Sequence, residues 1–169
     1  MAMRYLQCSP FLDQKLKLSN MAVLNAEDKR SNNILHTSLC FGLLIITGMM
    51  YYLVSRGAEV NYIYNSLFFT IGSVIVLINI LLSSKVYSTN INKARERIFD
   101  SYGDASANFR AANIVRWALI NGASLVSLIL AFLENNLLGF VPTLIGLLFL
   151  YASKMNEEHF KNYRVRENF

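Results

Sequence analysis

The sequence predicts an all-α integral membrane protein in which four transmembrane helices form an up-down-up-down bundle with both termini in the cytoplasm. Composition, apolar runs and the positions of the basic residues support this prediction. The 169 residues are 54% hydrophobic and only 16% charged, and the mean hydropathy is +0.34. Soluble domains average about 45–50% apolar and about 25% charged residues. This composition therefore excludes a soluble globular domain and a disordered chain.

Four apolar runs define the predicted transmembrane domain, residues 34–153: 34–54, 60–82, 114–133 and 137–153. A helix rises about 1.5 Å per residue, so roughly 20 apolar residues cross a hydrocarbon core about 30 Å thick. The first three runs reach that length, and the fourth is shorter. None of them alternates apolar with polar residues as a membrane strand does. The pattern therefore favours helices, whose backbone groups bond to one another inside lipid.

Ionisable side chains are rare in these runs. The runs contain no Asp, Glu or Lys, and apart from tyrosines and a thiol they hold only His36 and Arg116. Carriers coupled to protons or sodium generally need an acidic residue inside the membrane. We therefore expect neither proton nor sodium coupling.

The basic residues orient the predicted bundle. Five of the 16 Lys and Arg residues precede the first run, five lie between the second and the third with Arg116 just inside the third, and four follow the fourth; the remaining one is Arg56. Loops rich in Lys and Arg stay on the cytoplasmic side of a membrane. This distribution predicts that both termini and the central loop are cytoplasmic and that the two short turns, near residues 55–59 and 134–136, face outward.

Three cytoplasmic segments flank the predicted helices. Residues 1–33 form an N-terminal tail, either a weak amphipathic helix on the membrane surface or a disordered segment. The loop 83–113 is predicted to carry a short surface helix at 91–102, ended by Gly103. Residues 154–169 form a C-terminal tail that begins as an extension of the fourth helix.

The central loop supplies a candidate basic surface, with Lys93, Arg95, Arg97 and Arg110 as its cations. Basic surface helices bind anionic lipid or acidic partners. Because membrane topology alone requires basic residues here, the sequence favours a plain solvated loop over a dedicated binding platform.

The polar residues inside the runs suggest helix packing. At 100° per residue, one side of the third helix carries small and polar residues, whereas Val115, Val126 and Ile129 occupy the opposite side. The candidate intramembrane polar contacts are Asn79, Asn113, Arg116, Asn121, Ser124 and Ser127. Small residues allow close helix approach, and amides bond across helices. We expect Asn79 and Asn121 to lie at similar depth and to point into the bundle.

The sequence favours a non-enzymatic function. It contains no Gly-rich phosphate loop, no HExxH and no GxSxG motif, so no catalytic residue, cofactor or metal site is predicted. The leading hypothesis is a small protein that acts through helix–helix or cytoplasmic contacts, for example as an accessory subunit. The alternative is a passive or weakly coupled carrier or channel for a small solute, working as an oligomer.

Partners and location follow from the same residues. The expected partners are the lipid bilayer and either another membrane protein or a second copy of the chain, and no nucleic acid. The chain has no recognisable targeting signal and no Asn-x-Ser/Thr acceptor. We therefore expect a multi-pass protein of the plasma membrane, specifically a bacterial inner membrane.

Overall fold

The computed structural model describes residues 24–57, 62 and 66–165, and the elements in this part of the chain are nearly all helical. In chain order they are α1 (Ala26–Ser55), α2 (Leu67–Glu96), β1 (Ile98–Phe99), α3 (Tyr102–Leu133), a 3-10 turn (Leu137–Gly139), α4 (Phe140–Ala152), α5 (Glu157–Phe160) and β2 (Arg164–Val165). The two strands pair in parallel, with Ile98 opposite Arg164 and Phe99 opposite Val165. Predicted features at residues 1–23, 58–61, 63–65 and 166–169 lie outside the described residues.

Within the described residues, α1, α2 and α3 are each long and apolar enough to cross a membrane. The fourth apolar segment, Leu137–Ala152, has only 16 residues. The predicted all-helical class is therefore confirmed, with three long candidate spans and a shorter fourth segment.

The second helix begins later than predicted. The prediction placed its start at Val60, but α2 begins at Leu67. Ser66 has an extended backbone and caps the helix, because its hydroxyl accepts a hydrogen bond from the Phe69 amide at 3.0 Å. A serine in this position satisfies one of the free amides of the first turn.

The prediction that residues 83–113 form a loop with one short surface helix is wrong. Helix α2 continues to Glu96 and α3 already begins at Tyr102, so only residues 97–101 connect them. The apolar side of α2 continues past residue 82, and that of α3 begins before residue 114. These two extensions pack against each other, and the contact stabilises both. Gly103, predicted to end a surface helix, instead lies in the first turn of α3, which Ser101 caps by accepting from the Asp104 amide at 3.2 Å.

The two tails also differ from prediction. Helix α1 begins at Ala26, inside the predicted tail 1–33, and its added first turns pack on α3. The fourth helix does not extend into the C-terminal tail, because α4 ends at Ala152 and a separate turn, α5, follows. Asn156 caps α5 by accepting from the Glu158 amide at 3.0 Å.

Helix α3 is the centre of the fold. It packs against α2 along most of its length and also contacts α4 and α1. Its Phe109, Trp117 and Leu128 are fully buried. The outward faces of the helices are strongly apolar, and Leu67 and Leu81 of α2 are each 71% exposed. A surface of this kind needs a nonpolar environment, which a bilayer provides.

Candidate functional site

The candidate intramembrane residues Ser124 and Ser127 lie in a very close contact between helices. A Cβ atom added at Gly146 of α4 would lie 2.0 Å from the Ser124 hydroxyl oxygen. One added at Gly72 of α2 would lie 2.9 Å from that of Ser127. Thr143 joins α4 to α3 by donating to the Ser124 carbonyl at 3.3 Å. This part of the interior is filled by helix backbones in near contact.

The two amides expected to point into the bundle, Asn79 and Asn121, do not bond to each other. Asn79 is half-buried and donates to the Ile75 carbonyl of its own helix at 2.9 Å. Asn121 is also half-buried, and its carbonyl oxygen has no hydrogen-bond partner among the described residues. The back-bond satisfies the Asn79 amide within one helix, so it does not need an interhelical partner.

Asn113 and Arg116 lie one helical turn apart near the basic end of the α3 apolar run. Asn113 is fully buried and donates to the Phe109 carbonyl at 2.9 Å. The Arg116 guanidinium lies over the ring of Tyr87, with 4.9 Å between its carbon and the ring centroid. An aromatic face partly compensates a cation for lost hydration. Arg116 therefore serves contacts between α2 and α3.

Two residues that were not predicted as site residues, His36 and Trp117, contact the C-terminal end of α4. His36 of α1 contacts the Leu150 carbonyl through Nε2 at 2.8 Å, and the Trp117 indole donates to the Ser153 carbonyl at 3.1 Å. The two rings also contact each other, with centroids 4.9 Å apart. The last carbonyls of a helix lack partners inside the helix, and side chains from neighbours can satisfy them. The positions of His36 and Trp117 on the polar faces of α1 and α3 are the sequence feature that could have indicated these contacts.

An aromatic cluster closes the basic end of the molecule. Phe109, Phe160 and Tyr163 pack with ring centroids 5.4–5.9 Å apart, and Phe99 stacks on Tyr163 at 5.5 Å. We call the surrounding segments, residues 24–33, 83–113 and 153–165, the cap. Edge-to-face and offset aromatic pairs add to the stabilisation from burial. The sequence does not predict this cluster, because Phe99 and Phe109 lie far along the chain from Phe160 and Tyr163.

Burial changes the chemistry of one phenol in the cap. Burial raises the pKa of Tyr163 to about 12, with the neighbouring Tyr87 contributing in the same direction and Arg95 opposing it. Removing the phenol from water disfavours its charged form. Tyr163 therefore stays neutral throughout the physiological range.

The four candidate basic residues separate into two groups. Arg110 contacts Asp28 and Ser31 of α1 at 3.5 and 3.3 Å, and the Arg95 Nε is buried. Lys93 and Arg97 are exposed, and together they line a groove between α2 and α3. The predicted single basic surface is thus divided between internal contacts and one outward-facing groove.

Ion pairs and hydrogen bonds join the first turns of α1 to the other two segments of the cap. Lys29 pairs with Glu157 of α5, and Asp28 accepts from the Ser106 hydroxyl at 2.6 Å in addition to its contact with Arg110. These contacts join three separate segments of the chain. They explain why the tail 1–33, expected to lie apart, contributes its last residues to the folded cap.

The described residues contain no group of three or more His, Cys, Asp or Glu side chains placed to hold a metal ion. Comparisons with protein-family models, with curated proteins and with solved structures find no match.

Proposed function

We propose that the chain is a small non-enzymatic integral membrane protein that acts through contacts of its helices and basic end, as an accessory subunit of a membrane complex. The observation that carries this proposal is the dense interior. Where a solute path would need space, Ser124 and Ser127 lie against Gly146 and Gly72 at distances that leave no room for a methyl group. Such packing favours a rigid structural element.

The proposed location is a plasma membrane of the bacterial inner-membrane type, with the cap in the cytoplasm and the chain crossing four times. The distribution of basic residues supports this orientation. Activity reporters fused after Ala58, Asp100 and Phe169 should read outside, inside and inside. A fusion at Phe169 that is active only outside would overturn the proposed orientation.

The second candidate is a small-solute carrier or channel formed by several copies. It rests on Asn79 and Asn121, whose partly exposed amides could line a path between neighbouring chains. Interhelical amide bonds in membranes are worth about 0.6–2 kcal/mol, so such residues also serve plain association.

One reconstitution experiment separates the two candidates. Vesicles containing the full chain should release entrapped glycerol, potassium and protons no faster than empty vesicles. A flux that is specific to one solute and is lost in Asn121→Leu, but not in Val126→Leu, would establish the second candidate.

A crosslinking experiment tests the accessory role directly. Photoreactive residues are introduced one at a time at the outward-facing Leu81, Leu148 and Lys93 in native membranes. We expect a discrete protein adduct from at least one position, and none from the buried Leu128. Adducts with lipid alone at every position would contradict the accessory role.

A further inference from the structure

A polar groove lies between the ends of α2 and α3 on the outside of the cap. Its volume is about 210 Å³, and it is lined by Asn90 and Lys93 of α2, by Arg97, which directly follows α2, and by Asn108, Ala111 and Val115 of α3. Since one water takes about 30 Å³ in the liquid, the groove holds roughly seven waters or a group of that size. It brings two cations and two amides to one cleft.

The two cations of the groove are not neutralised within the described part of the chain. The ion pairs there join Lys29 to Glu157 and Arg110 to Asp28, and neither involves Lys93 or Arg97. Lys93 lies in the last turn of α2 and Arg97 directly follows the helix, and because both line the same groove their like charges repel each other. A bound anion would remove this repulsion.

The groove extends into the apolar part of the molecule. Val115 belongs to the apolar run of α3 and is 42% exposed, whereas Asn108 lies about two turns away in the cap. Because Asn90 and Val115 line the same groove as Arg97 and Asn108, one end meets the lipid-facing surface and the other lies among polar groups. An amphiphile fits this polarity better than a small soluble anion does.

We propose that the groove binds the headgroup of one anionic phospholipid. Lys93 and Arg97 pair with the phosphate and the second acidic or hydroxyl-bearing group, and Asn90 and Asn108 donate to their oxygens. The acyl chains leave past Val115 along the apolar face of α3. Arg and Lys near the ends of membrane helices extend their charges toward lipid phosphates in this way.

Helix electrostatics offers a competing explanation for the same charges. Basic residues in the last turn of α2 interact favourably with the free carbonyls at its C-terminus without any ligand. That explanation accounts for Lys93, but it requires neither the cleft nor the contribution of Asn108 from α3. Asn108 therefore distinguishes the two explanations.

Native mass spectrometry of the full chain in neutral detergent tests the proposal. Phosphatidylglycerol and phosphatidylcholine with identical acyl chains are titrated separately, and the bound fraction gives an apparent Kd. We expect one phosphatidylglycerol to be retained in preference to phosphatidylcholine. Each basic residue near a lipid surface contributes about 1 kcal/mol, so Lys93→Gln with Arg97→Gln should weaken phosphatidylglycerol binding by about tenfold or more.

Matched variants separate this site from general charge attraction. Lys85→Gln with Lys161→Gln removes the same charge from exposed positions outside the groove, and binding should remain within about twofold of the parent. Asn108→Leu, which alters no charge, should weaken binding several-fold. If the double groove variant unfolds in a thermal melt, the single variant Arg97→Gln replaces it, with an expected loss of about fivefold.

Three outcomes would overturn the proposal. The first is equal retention of the two lipids by the parent protein. The second is equal loss of binding in the groove and control variants. The third is complete displacement of phosphatidylglycerol by excess inorganic phosphate, which would identify a site for a soluble anion.

Discussion

The apolar part of the bundle and the cap are held together by different kinds of contact. In the apolar part, glycines and serines of α2, α3 and α4 lie against each other, Trp117 and Leu128 are buried, and many other large apolar side chains face outward. In the cap, Phe109, Phe160 and Tyr163 are buried, and charged pairs lie around them.

The solvent explains this difference. Lipid tails are as apolar as leucine, so burying a large apolar side chain between membrane helices gains little, and close contact of small residues contributes instead. In the proposed orientation the cap lies in water, which restores the hydrophobic driving force, so aromatic burial is expected to be the main stabilising contribution there. Small-residue contacts are therefore expected to contribute most in the part that we propose lies in lipid, and aromatic burial in the cap.

Truncating an aromatic residue on α3 should have the largest effect. Phe109→Ala removes a fully buried ring from the cap, and such changes cost about 3–5 kcal/mol. Phe132→Ala is the matched control on the same helix, because that ring is 36% exposed on the outward face. Hydrogen exchange should show lost protection in residues 153–165 for Phe109→Ala only. Equal effects of the two variants would remove the distinction between the regions.

Adding one methyl group in the apolar part should have an intermediate effect. Gly146→Ala places a Cβ atom against Ser124 and should destabilise the bundle by about 1–3 kcal/mol, the usual cost of overpacking. Gly122→Ala is the matched control, since nothing lies within 4 Å of its Cβ position. There the better helix propensity of alanine should be neutral or stabilising by up to about 1 kcal/mol. Unfolding by denaturing detergent measures both, and a stabilised Gly146→Ala would show that the contact is looser than described.

Titration of Tyr163 should give the smallest effect and is confined to the cap. Its pKa of about 12 lies above the ordinary value of 10.0. Below pH 10 the phenol is neutral in both folded and unfolded chains, so stability is fully retained. Between pH 10 and about 12 only the unfolded chain loses the proton, and the cap should become less stable as the pH rises.

Substitution of the phenol provides the check on this titration. Tyr163→Phe should lessen the loss of cap stability above pH 10, whereas Tyr151→Phe, at an exposed tyrosine of α4, should leave it unchanged. Phenolate absorbance recorded during unfolding gives the measurement. The idea fails if both variants follow the same pH profile as the parent.

The sequence predicts the apolar helices well because their signal is local. A run such as Ile114–Leu133 has membrane length, and its small and polar side, which includes Ser124 and Ser127, is the side that α3 buries. The fourth apolar run was predicted at residues 137–153, and the structure places there a 3-10 turn, Leu137–Gly139, followed by α4, Phe140–Ala152. Local composition and periodicity are sufficient for these elements.

The cap could not be predicted in the same way because its contacts connect distant segments. Leu24, Tyr87, Phe109 and Phe160 meet in one cluster, yet each lies in a polar stretch of sequence that resembles a loop or tail. The separation of Arg95 and Arg110 from Lys93 and Arg97 likewise depends on how α1 and α5 fold back on α2 and α3. Spacing along a single helix contains no information about such partners.

The shortness of the fourth segment affects the surrounding lipid. Leu137–Ala152 has 16 residues, which as a straight helix span about 24 Å, roughly 6 Å less than a typical hydrocarbon core. If the chain crosses the membrane four times as we propose, lipid beside α4 thins to match this length, whereas lipid beside α1 and α2 does not. Such mismatch costs a fraction of a kcal/mol per Å, so we expect α4 to stand upright and the protein to favour thinner regions of membrane. A neighbouring protein with a similarly short helix would share the thinned lipid, and α4 would then draw the two together without any specific contact between them.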